Sequence, residues 1–338
     1  MRSRSACSGI SDAMPGLLHK LGLAVLLCAA GPVCAEPRQI EHRYGVTQIE
    51  GTPERVVSLS FIGHDFLLAL DEVPIALRFW FGDNPRGVWP WAEAALGDAE
   101  PVLIYGNIDV EQIALLNPDL IVGQWSGMTE TEYRLLSQIA PTLPPAKGEA
   151  DYSSSWQVMT RQLGAALNKE DVARTVISRL EKRFADIRQR HPDWAGQTGV
   201  IAWPPQIGAF TSLDLRSRFL QDLGFVAPPE IDELASGNAF FVTLPQEDID
   251  PIDADLLVWV HTGDLSGDLD RILLRKHMRA YQEGREAYAD YDLTAALAHS
   301  SPLSLDYALD KLEPLIAAAM DGDPQTSVPS MVEEGAAP

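Results

Sequence analysis

Cysteine and positive charge are what this chain of 338 residues has least of. It carries 3 cysteines, and 26 basic side chains stand against 48 acidic ones, for a formal charge of −22. That shortage of lysine and arginine excludes a polyanionic partner such as nucleic acid, which is held by clustered cations that displace counterions. Catalytic motifs are missing too. There is no GxSxG elbow, no HExxH and no glycine-rich phosphate loop. Ser126 in GQWSGM does not make an elbow, because Gly123 stands three residues ahead of it where two are needed. An enzyme is therefore not the expected class. Long hydrophobic runs are also lacking. The run LGLAVLLCAAG at 21–31 gives a helix of roughly 17 Å, short of the roughly 30 Å of a bilayer core.

What is present begins with an address. Residues 1–35 pass from a basic start (Arg2, Arg4, Lys20) through that apolar run to VCA at 33–35, with Val33 and Ala35 at −3 and −1 of a cleavage site. This is the layout of a secretory signal peptide, so the expected destination is the periplasm. A lipid anchor on Cys28 or Cys34 is the second reading, but Leu27 and Val33 occupy the preceding positions, where a small residue is needed. All three cysteines (Cys7, Cys28, Cys34) lie in this segment, so the exported chain is expected to have no disulfide framework. Cleavage also removes Arg2, Arg4, Lys20 and Asp12, leaving the remainder two charges more negative than −22.

With 46% hydrophobic residues, the remaining length is enough for two packed lobes. From Val56 short apolar runs alternate with amphipathic stretches, the pattern of βα units around a sheet. The strand candidates are VVSLS (56–60), PIALRFW (74–80), LIVG (120–123), VIAW (200–203) and DLLVWV (255–260). Between them, 169–190 carries Val172, Val176, Leu180, Phe184 and Ile187 on one expected helix face. That helix would be roughly 33 Å long, ends at His191-Pro192, and reads as a strut between the lobes. Each lobe also repeats a local pattern. Glu111 stands eight residues before Asp119 and Glu247 eight before Asp255, each pair reading as a helical first turn, then a turn, then a buried strand. The expected divisions are a signal peptide (1–35), an extension (36–52), a first α/β lobe (53–156), a helical region (157–192), a second α/β lobe (193–320) and a disordered tail (321–338).

The runs TPERVVSLS (52–60), WPWAEAALGD (89–98), GNIDVEQIALLNPDLIVG (106–123), SGMTETEYRLLSQIAPT (126–142), RSRFLQDLGF (216–225) and SPLSLDYALDKLEPLI (301–316) together resemble the substrate-binding proteins of iron–siderophore ABC importers. The similarity is to the ferric-siderophore and vitamin B12 cluster and runs from about Thr52 to Ala319. It implies a class III fold, two Rossmann-like α/β lobes joined by a single long α-helix, with small lobe movements on binding. It also implies a monomer that captures a ferric siderophore and passes it to an inner-membrane permease with its ATPase. Glu111 and Glu247 match the glutamates that meet permease arginines in that family. Read from their spacing alone, both are equally ordinary charges at helix starts.

No resident cofactor is expected, because the siderophore itself holds the iron. The protein needs a wide cleft with aromatic walls and a few donors for the chelate oxygens, set on loops at strand ends. Arg78 and Trp80 close the second strand candidate, Arg78 being alternatively an ion-pair partner of Asp83. Tyr105 falls where relatives place a ligand contact, often an arginine. Trp125 follows LIVG and is alternatively a half-buried strand end. In the second lobe the candidates are Trp203, Arg216, Arg218, Phe240, Phe241 and His261. Only one of Arg216 and Arg218 is expected to face the cleft, since i and i+2 point apart on a helix, and at least one of the two phenylalanines reads rather as simple core. Two other ligands remain open: haem or a cobalamin-like chelate, and direct Zn²⁺ or Mn²⁺ binding by His64, His261 and His299 with Asp65.

Overall fold

The computed structural model describes residues 37–237, 239–263, 265–326 and 328. The expected signal segment and most of the expected tail lie outside the described residues. Within the tail, 321–326 forms a turn, because Asp321 accepts from Thr326 Oγ1 (2.6 Å) and from the Asp323 N–H (2.8 Å).

The expected extension contains an antiparallel hairpin of β1 (Arg38–His42) and β2 (Gly45–Ile49). Alternate residues Ile40, His42, Thr47 and Ile49 are buried, the period of a strand with one covered face. The first sheet is parallel, in the order β5-β4-β3-β6-β7. Its strands are β3 (Val56–Ser58), β4 (Ala76–Arg78), β5 (Val102–Ile104), β6 (Leu120–Val122) and β7 (Thr142–Leu143). The three central strands are buried at every residue, which is why they read as unbroken apolar runs. Helices α1 (Gly63–Ala69), α2 (Pro90–Leu96), α3 (Val110–Leu115) and α4 (Glu130–Leu136) connect them.

Next come α5 (Trp156–Ala166) and the long α6 (Glu170–Arg190). The helix forms where its spacing predicts, but its buried face is Ala173, Ile177, Leu180, Phe184 and Ile187, while Val172 and Val176 are only half-buried. Steps of four drift about 40° each on a helix of 3.6 residues per turn, so the face is kept by alternating steps of four and three.

The second sheet has the order β10-β9-β8-β11-β12. Strands β8 (Gly199–Trp203), β11 (Leu256–Trp259) and β12 (Glu286–Tyr288) run parallel, whereas β9 (Gly208–Phe210) and β10 (Phe241–Thr243) add antiparallel. Around it lie α7 (Leu215–Asp222), α8 (Pro229–Leu234), α9 (Leu265–Leu269), α10 (Arg279–Gln282) and α11 (Tyr291–His299). The final helix, α12 (Pro302–Ala319), leaves this lobe and packs on α6 and on α1 and α2 of the first. Arg183 binds Asp306 (2.8 Å) and Arg190 binds Glu313 (2.7 Å), fastening α12 to α6. One apolar core results, running from Leu67 and Leu163 through Leu180 and Phe184 to Phe219, Leu293 and Leu309.

The repeated aspartates have matching jobs. Asp119 accepts from the backbone N–H of Glu54 and Arg55 (both 2.8 Å), the residues leading into β3. Asp255 accepts from the N–H and Oγ1 of Thr198 (2.9 and 2.8 Å), which leads into β8. In each lobe the residue opening one strand pins the entry of its central neighbour.

Candidate ligand-binding cleft

In each sheet the chain leaves the central strand toward opposite sides, and the carboxyl ends of parallel strands at such a switch point are where ligands bind. Phe61 follows β3, Trp80 follows β4 and Trp125 follows β6. Their rings touch, with Trp80 centred 5.9 Å from Phe61 and 5.6 Å from Trp125. Arg78, the last residue of β4, is buried beneath them at 7% exposure. Its Nε donates to the Gly106 carbonyl (2.9 Å), its Nη1 to the Ser126 carbonyl (3.0 Å), and its Cζ lies 4.0 Å from the Phe61 ring centre. Burial lowers its pKa from the ordinary arginine value. Both hydrogen bonds go to carbonyls, so the alternative pairing with Asp83 is not the arrangement adopted.

Trp125 has φ of 55° and Tyr152 has φ of 64°, both in the left-handed region that costs a bulky side chain energy. The Tyr152 ring meets Trp125 edge-on at 4.8 Å, and its hydroxyl lies over Gly127, where a Cβ would overlap it. Burial raises the Tyr152 pKa, keeping the phenol protonated as a donor. The Nε1–H of Trp125 is buried without a hydrogen-bond partner, an arrangement that normally costs about 1–3 kcal/mol.

The second lobe supplies the facing wall. Trp203 ends β8 and lies flat over Gly208, where any Cβ would collide with the indole. Phe210 is 4.8 Å from Trp203, and the Arg216 guanidinium sits 4.2 Å from the Phe210 ring centre. Arg216 is fixed by Asp214, the cap of α7, at 3.0 and 3.1 Å. Burial raises the pKa of Asp214 and the Arg216 charge opposes that rise. Phe241, 43% exposed, lies 5.7 Å from Trp203; half-buried Phe240 lies 5.1 Å from Phe241. Phe240 also reaches Tyr152 at 6.0 Å, so the two lobes meet there.

Beneath the cleft His299 lies 5.5 Å from Trp80 and 5.6 Å from Trp91, and its Nδ1 donates to the Ala295 carbonyl (2.9 Å). Burial lowers its pKa; the Asp65 charge and the Ala295 hydrogen bond oppose the fall, and the Arg216 charge adds to it. His64, whose ring is 5.9 Å away, is lowered to about 4 by burial. Asp65, fully buried, accepts from Trp91 Nε1 (2.6 Å) and Ser301 Oγ (2.8 Å). His64, His299 and Asp65 thus come together, but His261 is tied elsewhere, with its N–H on Thr294 Oγ1 (3.2 Å). Among the described residues no three His, Cys, Asp or Glu side chains are arranged to hold a metal ion.

The remaining sequence candidates stand apart from this ring of aromatics. Tyr105 is 64% exposed and touches Phe79 at 5.2 Å. Nδ1 of His261 accepts from the Gly263 N–H (3.2 Å). Arg218 lines a different hollow with Trp156 and Glu181. Glu111 is exposed in the first turn of α3, whose cap Asp109 accepts from its N–H (3.0 Å). Glu247 is exposed too, but in a turn ahead of a 3₁₀ turn at Asp250–Ile252, not in a helical first turn. Pro251 stands in the first turn of that element, where its missing N–H costs no hydrogen bond. Sequence reasoning missed Phe61, Tyr152 and Phe210. The strand-end rule that selects Trp125 also selects Phe61, whereas Tyr152 sits in a polar loop, DYSSSW, with no periodic signal.

The sequence profile of the periplasmic binding proteins matches residues 56–291. A periplasmic solute-binding protein of Mycobacterium smegmatis shares 32% identity, with a TM-score of 0.73 over 84% of this chain and 99% of that one. The probable siderophore-binding lipoprotein YfiY of Bacillus subtilis is 29% identical over 241 residues, 67% of this chain and 69% of its own. PiaA of Streptococcus pneumoniae, solved with ferrichrome, superposes with a TM-score of 0.72 at 24% identity over 84% of this chain and 99% of its own. The chain belongs to the periplasmic binding protein family. Its fold is the class III arrangement of two α/β lobes joined by one long helix. No helix among the described residues is long and apolar enough to cross a membrane.

Proposed function

We propose that this chain is the periplasmic receptor of an iron-uptake ABC importer, capturing a ferric siderophore between its lobes and surrendering it unchanged to the permease. One observation carries the reading. Two guanidinium groups, one from each lobe, each stack on a phenylalanine within a continuous aromatic wall. A siderophore already encloses its iron, so what it offers a protein is flat organic surface and partly anionic chelate oxygens. Trp80, Trp125, Trp203, Phe240 and Phe241 supply the surface; Arg78, Arg216 and the unpartnered Trp125 N–H supply the donors. Tyr105 and His261 are assigned to the rim. The relative YfiY, named a probable siderophore-binding lipoprotein, supports the ligand class.

Tryptophan fluorescence titration tests the reading, with ferric hydroxamates, catecholates, citrate, haem and Zn²⁺ as separate ligands. Saturable quenching by an iron chelate, weakened at least tenfold by Trp80→Ala, is expected; saturation by Zn²⁺ alone would overturn the proposal. For delivery, exposed Glu111 and Glu247 would set register on arginines of the permease. Reversing both to arginine should abolish uptake and leave ligand affinity intact. The layout of residues 1–35 supports export by a cleavable signal, and a receptor of this kind works as a monomer.

A further inference from the structure

The chain has a surplus of carboxylates, so each arginine has many possible partners. Among the described residues every arginine but two makes a side-chain hydrogen bond or ion pair. The two exceptions are Arg161 of α5 and Arg218 of α7, and both line one hollow of about 360 Å³. It lies where α5, the long α6 and α7 converge, and the cleft aromatics do not line it. Trp156, Gln157, Glu181 and Asp222 complete most of its wall, and a second hollow of about 350 Å³ shares those four and adds Arg188.

Among the described residues no carboxylate is hydrogen-bonded or ion-paired to either cation. Asp222 accepts from Trp156 Nε1 (3.4 Å), a bond between the lobes; burial raises its pKa, and that bond and the Arg188 and Arg218 charges oppose the rise. Glu181 is exposed and makes no ion pair with either arginine. Neither guanidinium makes a hydrogen bond within the described residues, although the Arg218 charge is felt by Asp214 and Asp222, and the fork geometry of arginine fits paired oxygens on one anion. We infer that this hollow binds a small divalent oxyanion, a phosphate or a short dicarboxylate, bridged between Arg161 of α5 and Arg218 of α7. The site is separate from the siderophore cleft, so it places a second, iron-free ligand at the junction that joins the lobes.

The test uses the whole exported chain without iron or siderophore. Its melting temperature is followed against inorganic phosphate, sulfate and succinate, with acetate as the monovalent control and chloride holding ionic strength constant. A saturable rise of about 2 °C or more with at least one divalent anion is expected. Arg161→Gln and Arg218→Gln should each abolish it, and Arg174→Gln, an exposed arginine on α6, should not. Absence of a saturable rise with every anion would overturn the inference. So would a rise that both glutamine variants retain, since that reports a general salt effect. Because the cleft stays empty, the outcome is independent of the siderophore proposal.

Discussion

Acid should destabilise this protein through one histidine. His64 on α1 is 2% exposed, neither ring nitrogen has a hydrogen-bond partner, and its pKa falls from 6.5 to about 4. Burial is the main cause; nearby Asp65 opposes it and His299 reinforces it. The unfolded chain therefore takes up this proton at higher pH than the folded one, so stability is highest above pH 6.5 and falls as pH drops toward 4. At about 1.4 kcal/mol per pH unit the complete loss is about 3 kcal/mol, and by pH 5 it is already about 2 kcal/mol. Other groups titrate too: lowered His42 and His299 act in the same direction, whereas raised Asp214 and Asp222 act oppositely. A difference measurement isolates the one group. Urea unfolding of the wild type and of His64→Leu at pH 7.5 and pH 5 should show the wild type losing about 2 kcal/mol more than the variant. Parallel losses in the two proteins, or an NMR titration placing His64 near 6.5, would refute the reasoning.

Removing the buried cation should cost stability as well as binding. Arg78→Met leaves the Gly106 and Ser126 carbonyls unbonded, and chemical denaturation should register a loss of about 1–3 kcal/mol. If Asp119 and Asp255 do equivalent jobs in separate lobes, alanine at each should cost about 1–2 kcal/mol. The double variant should lose the sum of the two, since distant sites add; a marked shortfall in urea unfolding would contradict the equivalence. Small-angle scattering should show the radius of gyration almost unchanged when a ferric siderophore binds, and a large compaction would count against a rigid body joined by α6 and α12.

The parts of the fold legible in the sequence are those whose signal is local. Central parallel strands are covered on both faces, so VVS, ALR and LIV stand out as apolar runs. Strands β9 and β10 exist only because they pair with β8 and with each other, and three residues such as Gly208–Phe210 carry no period of their own. The long helix is visible, but which residues it buries depends on alternating steps of three and four, and apolar Val172 and Val176 draw the eye one position away from Ala173 and Ile177. The arginines show the limit most clearly. Spacing says that Arg216 and Arg218 diverge, yet only the capping aspartate decides between them: Asp214 holds Arg216 over Phe210, and Arg218 is left on the far side. Tyr152 was beyond reach, because its place follows from a left-handed backbone and from the space above Gly127.

The two connections between lobes bear on how selectivity can arise. A receptor whose lobes swing freely can close around ligands of different size, and its selectivity then depends on the closed state. Here α6 and the return of α12 share one core with both sheets, so opening the lobes widely would expose Leu180, Phe184 and Leu309. Each such side chain contributes about 1.5–3 kcal/mol when buried, and that cost opposes large rotation. Discrimination must then come from side chains already in place. Gly208 beneath Trp203 and Gly127 beneath Tyr152 fix two of the aromatic walls, and Asp214 fixes Arg216. Groups held this way lose little freedom when a ligand arrives, which favours affinity for one chelate shape over tolerance of many.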